Sequence, residues 1–192
     1  MQPSASIMPN YGNWVSKKLI LVPGILCLVF LGLAFLAPFW AIPAGLFGLI
    51  CVYFLFSYYR FSLAGGDVQA KIVGLILERL EWDGMGQALD IGCGNDALTL
   101  RLAQAYPAAR VTGIDFWGKN WDCSQQVCER NASLTGVAGR TVFQKASASA
   151  LPYEDGSFDL VASNLTFHEV SDTADKREVL REALRVVRPG GF

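Results

Sequence analysis

Residues 88–95 read ALDIGCGN, and this stretch decides the fold class. A short apolar run around Asp90 predicts a buried strand, which the glycines at positions 92 and 94 then interrupt. Residues 97–106, ALTLRLAQAY, follow at helical spacing, so strand, glycine loop and helix succeed one another directly. In a parallel α/β sheet, ligands bind beyond the carboxyl ends of the strands, which makes this loop the first candidate binding site.

Strand and helix patterns alternate on both sides of that loop. The periodicity predicts strands over residues 88–91, 110–115, 141–143 and 158–163, and helices over residues 67–82, 97–106, 119–135 and 172–187. Asp67 is a good N-cap for the first of these helices. The alternation predicts an α/β fold, a parallel sheet with helices on both faces.

The first third of the chain has a different composition. Residues 1–66 contain no Asp or Glu, and their only Lys and Arg residues are Lys17, Lys18 and Arg60. Residues 67–192 carry all 17 acidic residues and the other 13 basic ones, for a net charge of −4. Uncharged apolar runs at residues 19–37 and 39–59 are each long enough for a helix that crosses the roughly 30 Å of a bilayer's hydrocarbon core.

These runs predict a transmembrane helical hairpin at residues 19–60, between a segment 1–18 and a soluble domain at 61–192. The three cations flank the hairpin while its connection has none, so the positive-inside tendency predicts that both termini are cytoplasmic. The competing interpretations are a cleaved signal peptide, whose apolar region would be unusually long here, and a buried hairpin in a soluble protein.

Other functional classes find little support in the composition. The chain has five cysteines without a CxxC pair, and its one histidine is His168, so we expect no metal site. A mildly acidic soluble part gives no electrostatic reason to expect nucleic-acid binding.

The loop and the next strand carry the candidate ligand-binding residues. Gly92 and Gly94 let a ligand approach the backbone, because neither has a Cβ. Asp90 is placed to accept a hydrogen bond from a cationic amine. Asp115 ends the second strand, where a carboxylate can accept from both hydroxyls of a ribose.

Four motifs in order, LDIGCG, GID at 113–115, LPYEDGSFDLV at 151–161 and LRVVRPGGF at 184–192, resemble the class I S-adenosylmethionine (SAM)-dependent methyltransferases. The resemblance covers residues 67–192 and implies a Rossmann-like fold with SAM as cofactor. It implies that Asp90 and the loop of Gly92, Cys93 and Gly94 surround the methionine part of SAM, that Asp115 holds the ribose, and that Phe116 lies near the adenine. Asn164 corresponds to the region that faces the methyl group and its acceptor.

A nicotinamide-binding domain is the nearest rival. Gly92, Gly94 and Ala97 fit its GxGxxG/A pattern, and Asp115 is close to the expected acid. Asp90, two residues before the first glycine, and the later SFDLV and RPGG elements fit SAM better.

Two positions depart from the family pattern. Asp96 replaces the usual third glycine, so its carboxylate either stands close to the carboxylate of SAM or points away and caps the next helix. Ser147 stands where family members often place an Asp that accepts from the adenine amine, so we expect that bond to be weaker or replaced. His168 is a candidate general base beside the acceptor, or a structural residue.

The family's sheet has seven strands, but only four can be placed here, which leaves the fourth as an apolar edge. We therefore expect that the domain is C-terminally incomplete, as a fragment or as a chain that a partner completes. The acceptor is unidentified, a small molecule or a membrane lipid. The alternative to an enzyme is a membrane-anchored interaction module that has lost cofactor binding.

Overall fold

The computed structural model describes residues 8–118 and 123–192. The chain divides into two compact units. One consists of Asn13–Ile72, and the other combines Val73–Phe192 with the residues that precede Asn13.

The unit Asn13–Ile72 is a helical hairpin. Helix α1 spans Lys18–Ala34, a single 3-10 turn spans Pro38–Trp40, and α2 spans Ala41–Arg60. A second 3-10 turn, Leu63–Gly65, follows α2.

Two glycines let the helices of this hairpin approach each other. A Cβ at Gly24 would lie 3.4 Å from the Cys51 Sγ, and a Cβ at Gly48 would lie 3.4 Å from the Cys27 Sγ. Small residues at such a seam allow close backbone packing without polar contacts. The two thiols thus serve as packing groups between α1 and α2.

The outward faces of the hairpin are apolar and exposed. No side chain of α1 is buried, and Ala44 is the only buried residue of α2. By length and composition, one described helix, Pro38–Arg60, is able to cross a bilayer, whereas α1 has 17 residues and covers only about 25 Å. The first helix therefore ends earlier than the expected Ala37, and the two-span hairpin stays a prediction.

The other unit contains the predicted parallel sheet. Its strands are β1 (Gly86–Ile91), β2 (Ala109–Asp115), β3 (Thr141–Lys145) and β4 (Leu160–Ser163). They are parallel in the order β3-β2-β1-β4, and their helices are α3 (Val68–Arg79), α4 (Ala97–Ala105), α5 (Gln125–Leu134) and α6 (Lys176–Val186). This arrangement confirms the α/β Rossmann-like fold.

Several element boundaries differ from the sequence prediction, among them the starts of α6, β4 and α5. Helix α6 begins at Lys176 and not at 172, because Asp175 rather than Asp172 is its N-cap. Strand β4 begins two residues after Phe158, which forms only an isolated bridge with Val187. Helix α5 begins at Gln125 with Ser124 as its cap, and the predicted start of that helix falls partly on residues 119–122, outside the described residues.

The core lies between the central strands and α6. Its buried members include Leu89, Ile91, Ile114, Phe158, Val179 and Val186. On the outer side of β4, the Val161 amide donates to the Phe192 carbonyl at 2.8 Å, and the Phe192 amide donates to the Asp159 carbonyl at 3.0 Å. The predicted edge at β4 is thus partly paired by the last residue of the chain.

Asp159, the acid of the SFDLV motif, joins three parts of the scaffold. It is buried, its Oδ2 accepts from the Gln87 amide at 2.6 Å, and its carboxylate pairs with Arg188 of the RPGG motif. A Cβ at Gly86 would lie 2.1 Å from the same carboxylate. These contacts lie at the amino ends of β1 and β4, so part of the family pattern serves the fold and not the ligand site.

Candidate functional site

The candidate site lies where the strand order reverses, between β1 and β4. Chain order increases from β1 towards β3 on one side, and β4 lies on the other. Such a switch point leaves a crevice at the carboxyl ends of the strands, where ligands bind in open α/β sheets. The loops after β1, β2 and β4 all start at this edge.

The loop after β1 is pinned to β2 by its backbone. The amides of Gly92 and Cys93 both donate to the Ile114 carbonyl, at 2.8 Å and 2.9 Å. Burial of β1 and β2 on both sides fixes the strand ends, so the loop starts from a rigid base. A site built on such elements is positioned before any ligand arrives.

Asp115 organises the loop from the end of β2. Its Oδ2 accepts from the Gly94 amide at 2.9 Å, and its Oδ1 accepts from the Trp117 amide at 2.7 Å. The Trp117 indole Nε1 then donates to the Gly94 carbonyl at 3.0 Å. Each carboxylate oxygen keeps a free lone pair, so the partly exposed Asp115 can still accept from ribose hydroxyls.

The two glycines of the loop serve different purposes. A Cβ at Gly92 would lie 2.1 Å from the Thr166 side chain, whose hydroxyl donates to the Gly92 carbonyl at 3.3 Å. Gly92 is therefore needed for the loop after β4 to pack on the loop after β1. Gly94 has φ of +57°, and apart from its chain neighbours no atom of residues 8–118 and 123–192 lies within 4 Å of its Cβ position, so this described part of the chain leaves an open approach for a ligand at Gly94.

Asp90 lies beneath the loop rather than in the crevice. Its side chain is 1% exposed, and its Oδ2 accepts from the Thr99 hydroxyl at 2.7 Å. Burial raises the pKa of Asp90 to about 7, although the bond from Thr99 opposes that shift. Its expected contact with the amine of SAM stays a prediction, and in this structure Asp90 supports the start of α4.

Cys93 turns its side chain into the protein. Its thiol is hydrogen-bonded to that of Cys128 on α5, and this contact together with burial raises the pKa of Cys93. The Cys128 thiol donates in turn to the Gly94 carbonyl at 3.3 Å. The backbone groups of Cys93 are engaged as well, since its amide donates to the Ile114 carbonyl and its carbonyl accepts from the Asp96 amide at 2.7 Å, so its role in cofactor binding stays a prediction.

Asp96 follows the second alternative in part. It turns away from the crevice and is the N-cap residue of α4, with φ of +66°, but its side chain makes no capping hydrogen bond. The side chain is 0% exposed and does not project into the crevice. Its Oδ1 accepts from the side-chain Nδ2 of Asn131 at 3.1 Å. The packing of α5 places this neutral donor next to Asp96.

The electrostatic surroundings of Asp96 favour its neutral form. Its Oδ2 is buried without a hydrogen-bond partner among residues 8–118 and 123–192. Burial raises the pKa of Asp96 to about 8, and the nearby charge of Asp90 acts in the same direction. Two buried acids whose pKa values are raised to neutral pH or above thus lie under the glycine loop.

Phe116 lies where the resemblance places an adenine neighbour. Its ring is 62% exposed, and the Lys145 Nζ lies 5.0 Å from the ring centroid. An exposed ring next to Asp115 offers a flat apolar surface beside the ribose-binding carboxylate. The expected contact of Phe116 with adenine remains a prediction, and its exposed ring is available for that contact.

Ser147 has an acid beside it that the sequence did not reveal. Its hydroxyl donates to the Asp172 carboxylate, and the Ser149 hydroxyl donates to the same carboxylate at 2.9 Å. The bond from Ser147 lowers the pKa of the exposed Asp172. The loop after β4 thus brings a carboxylate to the end of β3, where the family pattern has its own acid at position 147.

The loop after β4 is held in an unusual conformation. Leu165 has φ of +55° and is exposed, between the half-buried Asn164 and Thr166. His168 is exposed as well, and its Nε2 lies 3.2 Å from Glu169. Asn164 lies directly after β4 at the crevice, whereas His168 pairs with its sequence neighbour Glu169, so the catalytic roles of both stay predictions.

Sequence reasoning missed four residues that shape this site: Trp117, Asn131, Thr166 and Asp172. Each acts through a partner distant in sequence, so no local pattern marks it. Thr166 follows the fourth strand closely enough that its position was the one available clue.

The family assignment agrees with this geometry. The family model described as a methyltransferase domain matches residues 89–192, from within β1 to the last residue. The chain belongs to this methyltransferase family. The SAM-dependent methyltransferase domain thus includes the glycine loop, Asp115 and the loop after β4.

Curated relatives support the same assignment. The chain is 40% identical over 103 residues to 27-O-demethylrifamycin SV methyltransferase of Amycolatopsis mediterranei, covering 54% of this chain and 35% of the relative. It is 37% identical over 107 residues to demethylmenaquinone methyltransferase of Roseiflexus castenholzii, covering 55% of this chain and 40% of the relative. The chain therefore spans about two fifths of the length of these relatives.

Solved structures share the fold. The [4+2]-cyclase SpnF is 32% identical with a TM-score of 0.54, over 64% of this chain and 42% of SpnF. Geranyl diphosphate methyltransferase in complex with SAM is 19% identical with a TM-score of 0.57, over 70% of this chain and 51% of that protein, and this likeness concerns the fold alone.

S-adenosylmethionine is the cofactor of this domain. The residues present fit it, because Gly94 leaves open space above the loop and Asp115 keeps acceptor capacity next to the exposed ring of Phe116. Gly94, Asp115 and Phe116 are the residues that would hold SAM.

Proposed function

We propose that the whole protein transfers a methyl group from SAM to an acceptor at the cytoplasmic face of a membrane. The observation that carries this proposal is the open glycine loop with Asp115 at the switch point, in a chain that also has exposed apolar helices. Activity, acceptor and location of the whole protein rest on this proposal.

The residues of this chain bind and orient rather than react. Asp115 holds the ribose and, through the Gly94 amide, the shape of the loop. When bound, SAM supplies a methyl group on a positively charged sulfur, which is already an activated donor. The protein then has to align the acceptor with that methyl group and to exclude water. Such alignment lowers the activation barrier by several kcal/mol.

The membrane location rests on the apolar surface of α1 and α2. Exposed large apolar side chains run along both helices, among them Val22, Leu28, Ile42, Leu49 and Phe56. Water disfavours such a surface at roughly 25 cal/mol per Å², whereas a bilayer accommodates it. Lys17, Lys18 and Arg60 flank the helices, so the positive-inside tendency supports cytoplasmic termini with two spans.

The membrane bilayer is therefore the proposed partner, and a lipid or another apolar small molecule is the proposed class of acceptor. One relative is named as a demethylmenaquinone methyltransferase, while another is named for a rifamycin. A site tethered to a bilayer favours the lipid-soluble class.

A second candidate is an interaction module without methyl transfer. The burial of Asp90 and its bond from Thr99 favour this candidate, because the carboxylate expected to meet the amine of SAM is not exposed. SpnF, which shares this fold, is named as a [4+2]-cyclase and not as a methyltransferase.

SAM binding by the full-length protein in detergent micelles tests the proposal by calorimetry. We expect micromolar binding of SAM and no response to NAD. A well-folded protein that binds no SAM would favour the interaction module and end the enzymatic proposal. Transfer of a radiolabelled methyl group to an extract of membrane lipids, but not to water-soluble extract, would support the acceptor class.

A further inference from the structure

The residues just before the membrane helices contact the glycine loop of the SAM site. The Asn10 backbone amide donates to the Asn131 Oδ1 at 2.8 Å, and the Asn131 Nδ2 donates to the Asn10 carbonyl at 3.0 Å. A side-chain amide thus pairs with both backbone groups of one residue, although 121 positions separate the two in sequence. This reciprocal pair fixes the segment against α5.

Asn131 also reaches the loop itself. The same Nδ2 donates to the Asp96 Oδ1 at 3.1 Å, and Asn131 is only 1% exposed. With one oxygen and one nitrogen of its amide committed to these contacts, Asn131 joins Asn10 to Asp96 within the protein. We call Asn10, Asn131 and Asp96 the amide latch.

The latch acts on an acid in an unfavourable place. Asp96 has the left-handed backbone of the N-cap of α4, where the family pattern has glycine, and this position suits a residue without a side chain. A carboxyl group in water is ionised at neutral pH. Released from Asn131, the side chain would turn from the interior towards the crevice and carry a full negative charge there.

That charge would oppose the carboxylate of SAM. Two like charges about 4 Å apart cost on the order of 1 kcal/mol in water and about 4 kcal/mol at an intermediate dielectric. No described cation pairs with Asp96 to offset this cost. Keeping the acid inside the protein therefore benefits binding of an anionic group above Gly94.

We propose that the amide latch is a positioning device, in which Asn131 and the Asn10 backbone hold Asp96 away from the crevice and so keep the loop open to the carboxylate end of SAM. The proposal rests on SAM binding at the Gly94 loop. Asn10 and Asn131 act through Asp96, and the segment before α1 thereby takes part in cofactor binding.

The decisive experiment compares two ligands by calorimetry on the full chain in detergent, SAM and decarboxylated SAM. We expect Asn131→Ala to weaken SAM binding about tenfold or more, which corresponds to ~1.4 kcal/mol, while binding of the decarboxylated ligand changes little. Adding Asp96→Asn to Asn131→Ala should return SAM affinity to that of Asp96→Asn alone, because the offending charge is gone.

A second pair of variants tests the segment before α1. Asn10→Pro removes the backbone N–H that donates to Asn131, whereas Asn10→Ala keeps it. We expect the proline variant to weaken SAM binding and the alanine variant to retain it. Ser133→Ala serves as the control on α5, since its exposed hydroxyl bonds only within that helix.

Three outcomes would overturn the proposal. They are an Asn131→Ala variant with unchanged SAM affinity, an equal loss for both ligands, and a loss that Asp96→Asn does not restore. The second and third would indicate a structural role for Asn131. Wild-type protein that binds neither ligand would instead refute the proposed function, so the two failures are distinguishable.

Discussion

A buried acid lies at each end of the central strands, and the two acids have different partners. At the amino ends, Asp159 accepts from the Gln87 amide and pairs with the guanidinium of Arg188. At the carboxyl ends, Asp96 accepts one bond from a neutral amide, and its second oxygen has no partner in the described part of the chain. The scaffold acid has a cation as its partner, whereas a site that receives an anionic ligand group benefits from an acid that is kept out of the crevice.

The largest effect on stability should come from Asp159, at the amino ends of the central strands. Asp159→Ala leaves the Gln87 amide without its acceptor and Arg188 without its counter-ion, so we expect a loss of about 3 kcal/mol in the free energy of unfolding. Hydrogen exchange of the β1 amides measures this loss. Asp155→Ala is the matched control, because Asp155 is 82% exposed in its pair with Arg185. Equal effects of the two variants would contradict the scaffold role of Asp159.

The next largest effect should be on SAM affinity, from Asp115 at the carboxyl ends of the strands. Asp115→Ala removes the acceptor for the ribose and for the Gly94 and Trp117 amides, so we expect SAM to bind tenfold or more weakly, a loss of roughly 1.5–3 kcal/mol. Calorimetry against Asp83→Ala, an acid in the turn before β1, provides the comparison. Unchanged affinity would remove Asp115 from the site.

The buried acids Asp90 and Asp96, at the carboxyl ends of the strands, should also make stability depend on pH. Burial raises the pKa of Asp96 to about 8 and that of Asp90 to about 7, so the folded state holds protons that the unfolded state releases above about pH 4. Stability should therefore fall as pH rises above about 4, up to about pH 7 for the contribution of Asp90 and up to about pH 8 for that of Asp96.

Asp96→Asn isolates the contribution of that acid. The variant should be more stable than wild type at pH 8, with a shallower decline from pH 5 to pH 8, and a decline from Asp90 should remain. Hydrogen exchange of β1 at the two pH values measures both. Asp90 also faces this region and titrates in the same range, whereas burial raises the pKa of Tyr11 further above it, so an unchanged slope in the variant would assign the pH dependence to Asp90 and not to Asp96.

The smallest effect should come from the exposed acid at the end of β3. Asp172→Ala removes the acceptor of the Ser147 and Ser149 hydroxyls, and amides of the loop after β4 should exchange faster by about fivefold at most, as expected for an exposed hydrogen bond. Ser149→Ala removes one of the two bonds and should have a smaller effect. Equal exchange rates in wild type and both variants would show that this contact does not order the loop.

Much of the scaffold was predictable because its signals are local. The apolar run of β1, the glycines after it and the helical spacing of α4 are neighbours in sequence, and the alternation of strands and helices predicted a parallel sheet, whereas the order of its strands came from the structure. The start of α6 was predicted wrongly, because Asp172 and Asp175 are both plausible caps and the contact of Asp172 with Ser147 decides between them.

By itself, the sequence determined the α/β fold, the glycine loop, the acid at the end of β2 and two apolar segments ahead of the domain, since each depends on residue type and short-range spacing. Only the tertiary structure decided that Thr166 occupies the space above Gly92, that Asp96 turns inward to Asn131 and that Asn10 joins the same network. The physical reason is that a side chain chooses its partner only after helices and strands have packed, and those partners lie up to 121 positions apart.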